Sequence, residues 1–300
     1  MSEIQVKEID YKGFGRSVLI TNGQLEAVVT IELGPRIIRL GFTGEENQFY
    51  EEAPKPEDTR NNKWQFMGGH RLWHSPEHSP RTYSPDNDAV EWKVLENGIS
   101  ISQKVEPWVQ IKKEMEITME PDSGKVRVLH RLINKNAWPV ELSIWALSVM
   151  AEGGMEIIPQ PDRDTGLLGN RVLALWPYTK MNDRRVYWGN KYIVVNQDEA
   201  ASTPFKFGIS NEAGWAAYFN KGNLFIKKYR HMMNAEYPDF GVSYETYTNH
   251  FMLEMETLSP LYKLMPDESA THIEEWQLYR DIKPPACEEE EIEKTLRSYL

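Results

Sequence analysis

Two acidic side chains near the end of the chain have types and spacing suited to proton transfer. Residues 248–261 read TNHFMLEMETLSPL. In an extended strand alternate side chains share a face, so His250, Glu254 and Glu256 point one way, and a nearly all-apolar set, expected to be core, points the other. A carboxylate on a rigid strand in a concave face is a candidate general base. The same residues are also compatible with a solvated outer face.

A second cluster lies in residues 66–77, FMGGHRLWHSPE. The paired glycines allow a sharp backbone turn. Arg71 supplies a planar fork of donors, and Trp73 supplies an aromatic platform with one polar N–H. His70 and His74 can donate, accept or shuttle a proton near neutrality. Together these groups suit a sugar, although a core corner with a buried tryptophan and hydrogen-bonded histidines fits equally well.

The histidine spacing in this segment also raises the question of a metal. His70, His74 and His78 are spaced four residues apart, which on a helix would put three ligands on one face. Pro76 and Pro80 break such a helix. Since no second ligand cluster occurs elsewhere in the sequence, we expect no metal site.

Two further segments are weaker candidates for ligand binding. Residues 175–192, LWPYTKMNDRRVYWGNKY, combine aromatic side chains with Arg184 and Arg185 in an expected loop. That composition suits a polyhydroxyl or anionic ligand, but also a loop packed by its own aromatic rings. The segment YPDFG at 237–241 is first a turn signature, with Asp239 as a secondary candidate for binding hydroxyl groups.

Several common catalytic signatures are missing from the sequence. It contains no G-x-S-x-G elbow, no phosphate-binding P-loop, no G-x-G-x-x-G dinucleotide motif and no C-x-x-C pair. The lone Cys287 precedes an acidic tail segment, an unsuitable place for a nucleophile. Hydride transfer, phosphoryl transfer and acyl transfer therefore lack their usual residues.

Charge and hydropathy narrow the choice of partner. The 45 acidic and 34 basic residues give a formal net charge of −11, which disfavours binding to nucleic acid. No window approaches 18 consecutive apolar residues, so no membrane span is expected. One cysteine, and a polar N-terminus without the apolar core of a signal peptide, favour a cytoplasmic location.

The elements that must position these residues are mainly strands. Short apolar or alternating runs recur between turn residues, and residues 110–120, QIKKEMEITME, alternate with period two. Only residues 287–300, CEEEEIEKTLRSYL, are typical of a helix, and residues 151–190 are expected to form long loops over one face. No linker interrupts the pattern. The sequence therefore predicts one all-β domain over residues 1–300, a large antiparallel sandwich with few short helices.

Four segments of the sequence resemble the galactose mutarotase-like superfamily, which includes the aldose 1-epimerases. They are LGPRIIRLGFTGEENQFYEE (33–52), GGHRLWHSPE (68–77), ELSIWALSVMAEGG (141–154) and LEMETLSPLYKLMPDESATHIEEWQLY (253–279). The order of elements is similar across nearly the whole chain. The resemblance implies a β-supersandwich fold and a small-molecule sugar or sugar derivative as partner.

The resemblance also implies roles for individual residues. Aldose 1-epimerases carry a catalytic glutamate on a late strand, which matches Glu256 first and Glu254 second. Their early sugar-contacting arginine and histidine match the region of Arg71, His70 and His74. Their proton-donating histidine follows a central strand, but here Trp145 stands at that position. The sequence departs from the family's pattern at this position.

For an epimerase, the resemblance implies two proton handlers and no cofactor. Glu256 is expected to remove the proton of the C1 hydroxyl, and His74 or His70 to protonate the ring oxygen, with His250 in reserve. Arg71 and Trp73 are expected to hold the sugar. The alternatives are a carbohydrate-binding protein without turnover, which the missing histidine favours, and a glycan lyase or hydrolase on the same fold.

Overall fold

Extended backbone dominates the chain, as the alternating sequence pattern predicts. The structure is a computed structural model that describes residues 3–300. The strands of the first half are β1 (Gln5–Asp10), β2 (Arg16–Thr21), β3 (Leu25–Thr30), β4 (Arg36–Phe42), β5 (His70–Ser75), β6 (Glu91–Leu95), β7 (Gly98–Ser102), β8 (Ile111–Met119), β9 (Lys125–Asn134) and β10 (Val140–Met150).

The second half of the chain contains further strands. They are β11 (Met155–Pro159), β12 (Leu173–Leu175), β13 (Val186–Trp188), β14 (Tyr192–Asn196), β15 (Phe205–Ile209), β16 (Trp215–Asn220), β17 (Asn223–Tyr229), β18 (Tyr244–Thr248), β19 (Leu253–Leu258), β20 (Tyr262–Leu264) and β21 (Ser269–Tyr279). The helices are α1 (Pro56–Arg60), α2 (Pro238–Gly241) and α3 (Glu289–Leu296).

The strands form two large antiparallel sheets. The 11-stranded sheet has the order β1-β2-β3-β4-β5-β10-β19-β18-β15-β12, with β20 paired to β10. The 10-stranded sheet has the order β13-β14-β11-β16-β17-β21-β9-β8-β7-β6. This arrangement confirms the predicted all-β sandwich with few short helices.

The hydrophobic core lies between the two sheets. Leu72 and Met255 of the 11-stranded sheet belong to the same buried cluster as Met115, Phe225 and Trp276 of the 10-stranded sheet. Burial alternates along β8 as its sequence predicts. Alternate residues of the 11-stranded sheet therefore point away from this core, onto its outer face.

The structure corrects two predicted segments. Residues 248–261 were expected to form one extended strand, but a turn separates the end of β18 from β19. The turn forms because Asn249 Oδ1 accepts hydrogen bonds from the backbone N–H groups of Phe251 (2.9 Å) and Met252 (3.2 Å). Residues 151–190, expected to be loops, contain the short strands β11, β12 and β13.

The predicted C-terminal helix is confirmed as α3. Its Ile292 and Leu296 are fully buried and pack against apolar residues of β16 and β17. Acidic residues in its first turn favourably face the positive end of the helix dipole. Within residues 3–300, no helix combines the length and the apolar character required to cross a bilayer.

A polar network crosses the centre of the core. His130 Nδ1 donates to the carbonyl oxygen of His272 (3.0 Å), so His130 Nε2 accepts from His70 Nε2 (2.7 Å). Glu274 binds the ammonium of Lys227 at 3.0 Å and accepts from the indole of Trp276 at 2.7 Å. These hydrogen bonds compensate for burying polar groups between two apolar layers.

The buried histidines predict acid sensitivity. Burial lowers the pKa of His130 to about 3, whereas an unfolded histidine titrates near about 6.5. Between these values the unfolded chain binds a proton that the folded chain does not, so stability falls as the pH falls below 6.5. We expect His130→Asn to reduce the loss of unfolding free energy between pH 6.5 and 4.5 by about 2–3 kcal/mol, measured by urea denaturation.

The exposed His78 provides the matched control. His78→Asn is expected to keep the wild-type dependence on pH. An unchanged pH dependence in His130→Asn would show that His130 does not remain neutral in the folded protein.

Candidate functional site

A cleft of about 390 Å³ opens on the outer face of the 11-stranded sheet. Its floor comes from side chains on neighbouring strands: Arg71 and Trp73 of β5, Trp145 and Leu147 of β10, Lys206 of β15, Tyr247 of β18 and Glu254 of β19. Its walls come from loops: Trp64, Phe66, Glu77, Tyr83, Tyr178, Asn249, Phe251 and Met252. The volume lies within the ~300–1,000 Å³ range of small-molecule pockets.

Strand register explains why these floor residues meet. Trp73 lies opposite Trp145, and Arg71 lies opposite Leu147. Leu147 in turn lies opposite Glu256 across the β10–β19 pair. Because antiparallel partners place their side chains on the same face, one register brings residues distant in sequence onto a common surface.

Arg71 is held at the cleft by both charge and aromatic contact. Its Nη2 atom donates to Glu254 Oε1 at 2.8 Å, and its guanidinium carbon lies 4.4 Å from the centre of the Trp73 ring. The Nε and Nη1 atoms of Arg71 are buried and have no hydrogen-bond partner among the described residues. The Nε1 atom of Trp64, another residue that lines the cleft, is also buried and has no hydrogen-bond partner among the described residues. Because Arg71 lines the cleft, its guanidinium is a candidate donor to the hydroxyl groups of a ligand.

Lys206 lies between two buried carboxylates. Its ammonium is 2.7 Å from Glu245 Oε2 and 2.9 Å from Glu256 Oε2. The same ammonium lies 4.7 Å from the ring centres of both Trp145 and Trp176. Aromatic faces and carboxylates together offset the cost of burying this charge.

The pKa values of these three groups depend on one another. Burial opposes the charge of Lys206, but attraction to Glu245 and Glu256 outweighs it and raises the lysine pKa well above its usual value. Burial raises the pKa of Glu245 and of Glu256, and the charge of Lys206 only partly offsets this effect. One lysine cannot neutralise two carboxylates, so the cluster favours an extra proton on the glutamate pair.

Glu256 lies beneath the cleft floor. Its Oε2 atom accepts a hydrogen bond from Trp145 Nε1 at 2.8 Å, and its side chain is fully buried. Glu254, two residues earlier on the same face, does line the cleft. The carboxylate predicted as second choice is therefore the one exposed to a ligand, because the indole of Trp145 covers the first.

The structure brings together part of the predicted site. Arg71, Trp73, Trp145 and Glu254 line the cleft. Asp239 lines an adjoining cavity, which shares part of the cleft wall.

The predicted histidines do not reach the cleft. His70 and His74 alternate with Arg71 and Trp73 on β5, so both point away from the cleft floor. His70 joins the core network, and His74 Nε2 lies 3.8 Å from the buried Glu106. His250 is exposed in the turn before β19 and packs against Phe251.

The arginines of the predicted loop at residues 175–192 do not point into the cleft either. Arg184 is exposed and its guanidinium pairs with Asp198 at 2.9 Å. Arg185 pairs with Asp183 at 2.8 Å and donates to the Thr203 carbonyl oxygen at 3.0 Å. Neither arginine lines the cleft.

Sequence reasoning missed Lys206 and Glu245. A signal for Lys206 was present, because it stands between Phe205 and Phe207, which both belong to the core cluster. A lysine between two core positions of a strand must lie on the opposite face. Glu245 likewise stands between two residues that the structure buries, Tyr244 and Thr246, in the segment SYETYT at 243–248.

One group of side chains has the composition of a metal site. Ligand atoms of His70, His130 and Glu274 lie within 4.8 Å of one another. The Lys227 ammonium is bound to the same glutamate at 3.0 Å and would repel a cation. The two histidine Nε2 atoms already share a hydrogen bond. This arrangement fits a hydrogen-bonded core network better than a metal centre.

Comparison with known proteins supports the fold. No protein-family model matches the chain, and no curated protein matches it. A galactose mutarotase-like protein from Lactobacillus casei has a TM-score of 0.57 at 8% identity, over 88% of this chain and 100% of its own. A galactose mutarotase-like protein from Clostridium acetobutylicum has a TM-score of 0.56 at 11% identity, over 93% and 100%.

A longer protein also contains this fold. A TPR-domain containing protein from Parabacteroides distasonis has a TM-score of 0.56 at 11% identity, over 90% of this chain. The chain covers only 49% of that protein, about half its length. The chain therefore has the galactose mutarotase-like fold, which confirms the resemblance inferred from the sequence. At these identities the comparisons extend to the fold alone.

The lysine bridge leads to a prediction about stability. Lys206→Met leaves two buried carboxylates without their cation, and we expect it to lower the free energy of unfolding by about 3–5 kcal/mol. Chemical denaturation at neutral pH measures the loss. Lys283→Met, at an exposed position, is the control and should change stability by less than about 0.5 kcal/mol. Equal stability of the two variants would contradict the proposed role of Lys206.

Proposed function

We propose that the cleft on the 11-stranded sheet binds a sugar. The observation that carries this proposal is the combination, in one cleft floor, of the aromatic side chains Trp73 and Trp145 with the paired Arg71 and Glu254. Aromatic faces pack against the C–H surface of a sugar ring, while the arginine and carboxylate bind its hydroxyl groups. Arg71 lines the cleft, and its Nη2 atom is the donor already bound to Glu254, so the pair presents a donor and an acceptor together.

The charges of the cleft favour an uncharged sugar. Its cations, Arg71 and Lys206, are each already paired with carboxylates. Glu77 adds another acidic group to the wall. A sugar phosphate or sugar acid would add negative charge without a free cation to neutralise it, which is unfavourable in a partly buried site.

We further propose that the cleft interconverts sugar anomers by general acid–base catalysis. Glu254 faces the ligand and is assigned the role of general base, which removes the proton of the C1 hydroxyl. Lys206 lines the cleft and is assigned transfer of a proton to the ring oxygen. The Glu245–Glu256 pair replaces that proton in the same step, so the lysine stays protonated throughout, as its raised pKa requires. The ring opens to the aldehyde and the C1–C2 bond rotates. On closure at the other face, the former ring hydroxyl returns its proton through Lys206 to the Glu245–Glu256 pair, and Glu254 returns its proton to the C1 oxygen, which gives the other anomer.

This assignment differs from the roles that the resemblance implies. Lys206 takes the place of the histidine that is missing at Trp145, since Lys206 is the protonated side chain bound to Glu256. In this proposal Glu256 lies beneath the floor and supplies a proton to Lys206, and it does not contact the sugar.

A binding protein without turnover is the second candidate. It is favoured by the hydrogen bond from Trp145 to Glu256 and by the pairing of Glu254 with Arg71, because both interactions occupy carboxylate oxygens that a base requires free.

Binding is tested by removing one aromatic face. Trp73→Ala deletes the platform beneath the ligand, and we expect the Kd for glucose or galactose, measured by calorimetry, to rise at least about tenfold. Trp138→Ala, which changes a tryptophan that is 63% exposed and absent from the cleft, is the control. An unchanged Kd in Trp73→Ala would place the sugar elsewhere.

Catalysis is tested by polarimetry of fresh α-glucose and α-galactose. We expect wild type to speed mutarotation, and Glu254→Gln and Lys206→Arg each to lower the rate at least about 100-fold, since each removes one proton handler. Lys206→Arg keeps the positive charge between the carboxylates but holds its proton too tightly to donate it. Glu290→Gln, at an exposed position on α3, is the control.

The same experiment separates the two candidates. If wild type binds glucose or galactose without changing the rate of mutarotation, the binding protein is correct and the catalytic assignment of Glu254 and Lys206 is wrong.

A further inference from the structure

A second cavity of about 340 Å³ adjoins the cleft. The two share three lining residues, Glu77, Tyr83 and Trp145, so they form one groove with two lobes. The first lobe is the cleft described above. The second lobe is lined in addition by His78, Ser79, Trp176, Asp239 and Glu245.

We propose that this groove binds two linked sugar rings, one in each lobe, and therefore takes a neutral disaccharide or a longer glycan in preference to a monosaccharide. This inference rests on the proposed function, since it assumes that the first lobe binds a sugar. Each lobe alone lies within the ~300–1,000 Å³ range of small-molecule pockets.

Each lobe has its own aromatic surface and its own polar groups. The first combines Trp73 with Arg71 and Glu254. The second combines the half-buried Trp176 with Asp239 and Glu245. A pocket for one ring requires a single such set, whereas two sets along one groove match the repeat of a linked saccharide.

Lys206 joins the two lobes. It lines the first lobe and forms an ion pair with Glu245 of the second at 2.7 Å. Its ammonium lies 4.7 Å from the ring centre of Trp145, in the shared wall, and 4.7 Å from that of Trp176, in the second lobe. A donor at this boundary is suited to the oxygen atoms at the linkage between two rings.

The rim of the second lobe has an unusual backbone. Asp239 (φ 51°) and Phe240 (φ 69°) both lie in the left-handed region, and Phe240 is 91% exposed. Such a conformation is costly for a phenylalanine and tends to occur at ligand-binding loops. Ser75 Oγ donates to Asp239 Oδ2 at 3.5 Å, which ties the rim to the end of β5.

The charges of the second lobe restrict the ligand further. Glu77, Asp239 and Glu245 are acidic, and His78 is the lobe's single basic side chain among the described residues. Lys206, at the boundary, is already paired with Glu245 and Glu256. An acidic sugar in the second lobe would meet like charge, so a neutral second ring is expected.

The test compares one-ring and two-ring ligands by calorimetry. Glucose and galactose are the one-ring probes, and maltose, cellobiose and lactose are the two-ring probes. We expect wild type to bind at least one disaccharide at least about tenfold more tightly than the monosaccharides. Trp176→Leu should bring this ratio close to one, and Asp239→Asn should lower it. Trp138→Leu, outside both lobes, should leave it unchanged.

The outcomes distinguish this inference from the proposed function. If glucose or galactose binds and no disaccharide binds more tightly, the two-ring inference is wrong and the sugar-binding function stands. If a disaccharide binds more tightly but Trp176→Leu and Asp239→Asn both keep the wild-type ratio, the second ring does not lie in the second lobe and the inference is again wrong. If wild type binds none of the five sugars, both are wrong.

Discussion

The ion pairs of Lys206 with Glu245 and Glu256 are the interaction on which the groove depends. A lysine this deeply buried is stable only because two carboxylates and two aromatic faces surround it. Its positive charge reduces the repulsion between Glu245 and Glu256, which lie opposite each other on β18 and β19. The cluster lies in and beneath the floor of the cleft and adjoins both lobes. The proposed sugar binding and the proposed proton transfer both depend on the charge of Lys206.

The position of this cluster follows from the period of a β-strand. Each strand of the floor sends one set of side chains into the core between the sheets and the other set outward. On β5 this rule separates Arg71 and Trp73, which face the cleft, from His70 and His74, which do not. On β19 it places Glu254 and Glu256 on the outer face, while Met255 packs in the core. Proximity in sequence is therefore a poor guide to which residues cooperate.

The same rule explains how much the sequence could predict. The fold class followed from recurring alternation, and the outward face of Glu254 and Glu256 followed from their spacing. The burial of Glu256 could not be predicted, because it depends on the indole of Trp145, more than 100 residues earlier in the chain. His70 was misplaced because a histidine at a core position is indistinguishable by type from one in a cleft. Lys206 was identifiable in principle from its phenylalanine neighbours, but its two glutamate partners required the register of three strands.

A crystal structure of the protein soaked in glucose or galactose would show whether the cleft binds the sugar. We expect a sugar ring packed on Trp73, with hydroxyl groups within hydrogen-bond distance of Arg71, Glu254 and Lys206. A sugar bound on the opposite face, or an empty groove at a sugar concentration that saturates binding in solution, would contradict this expectation.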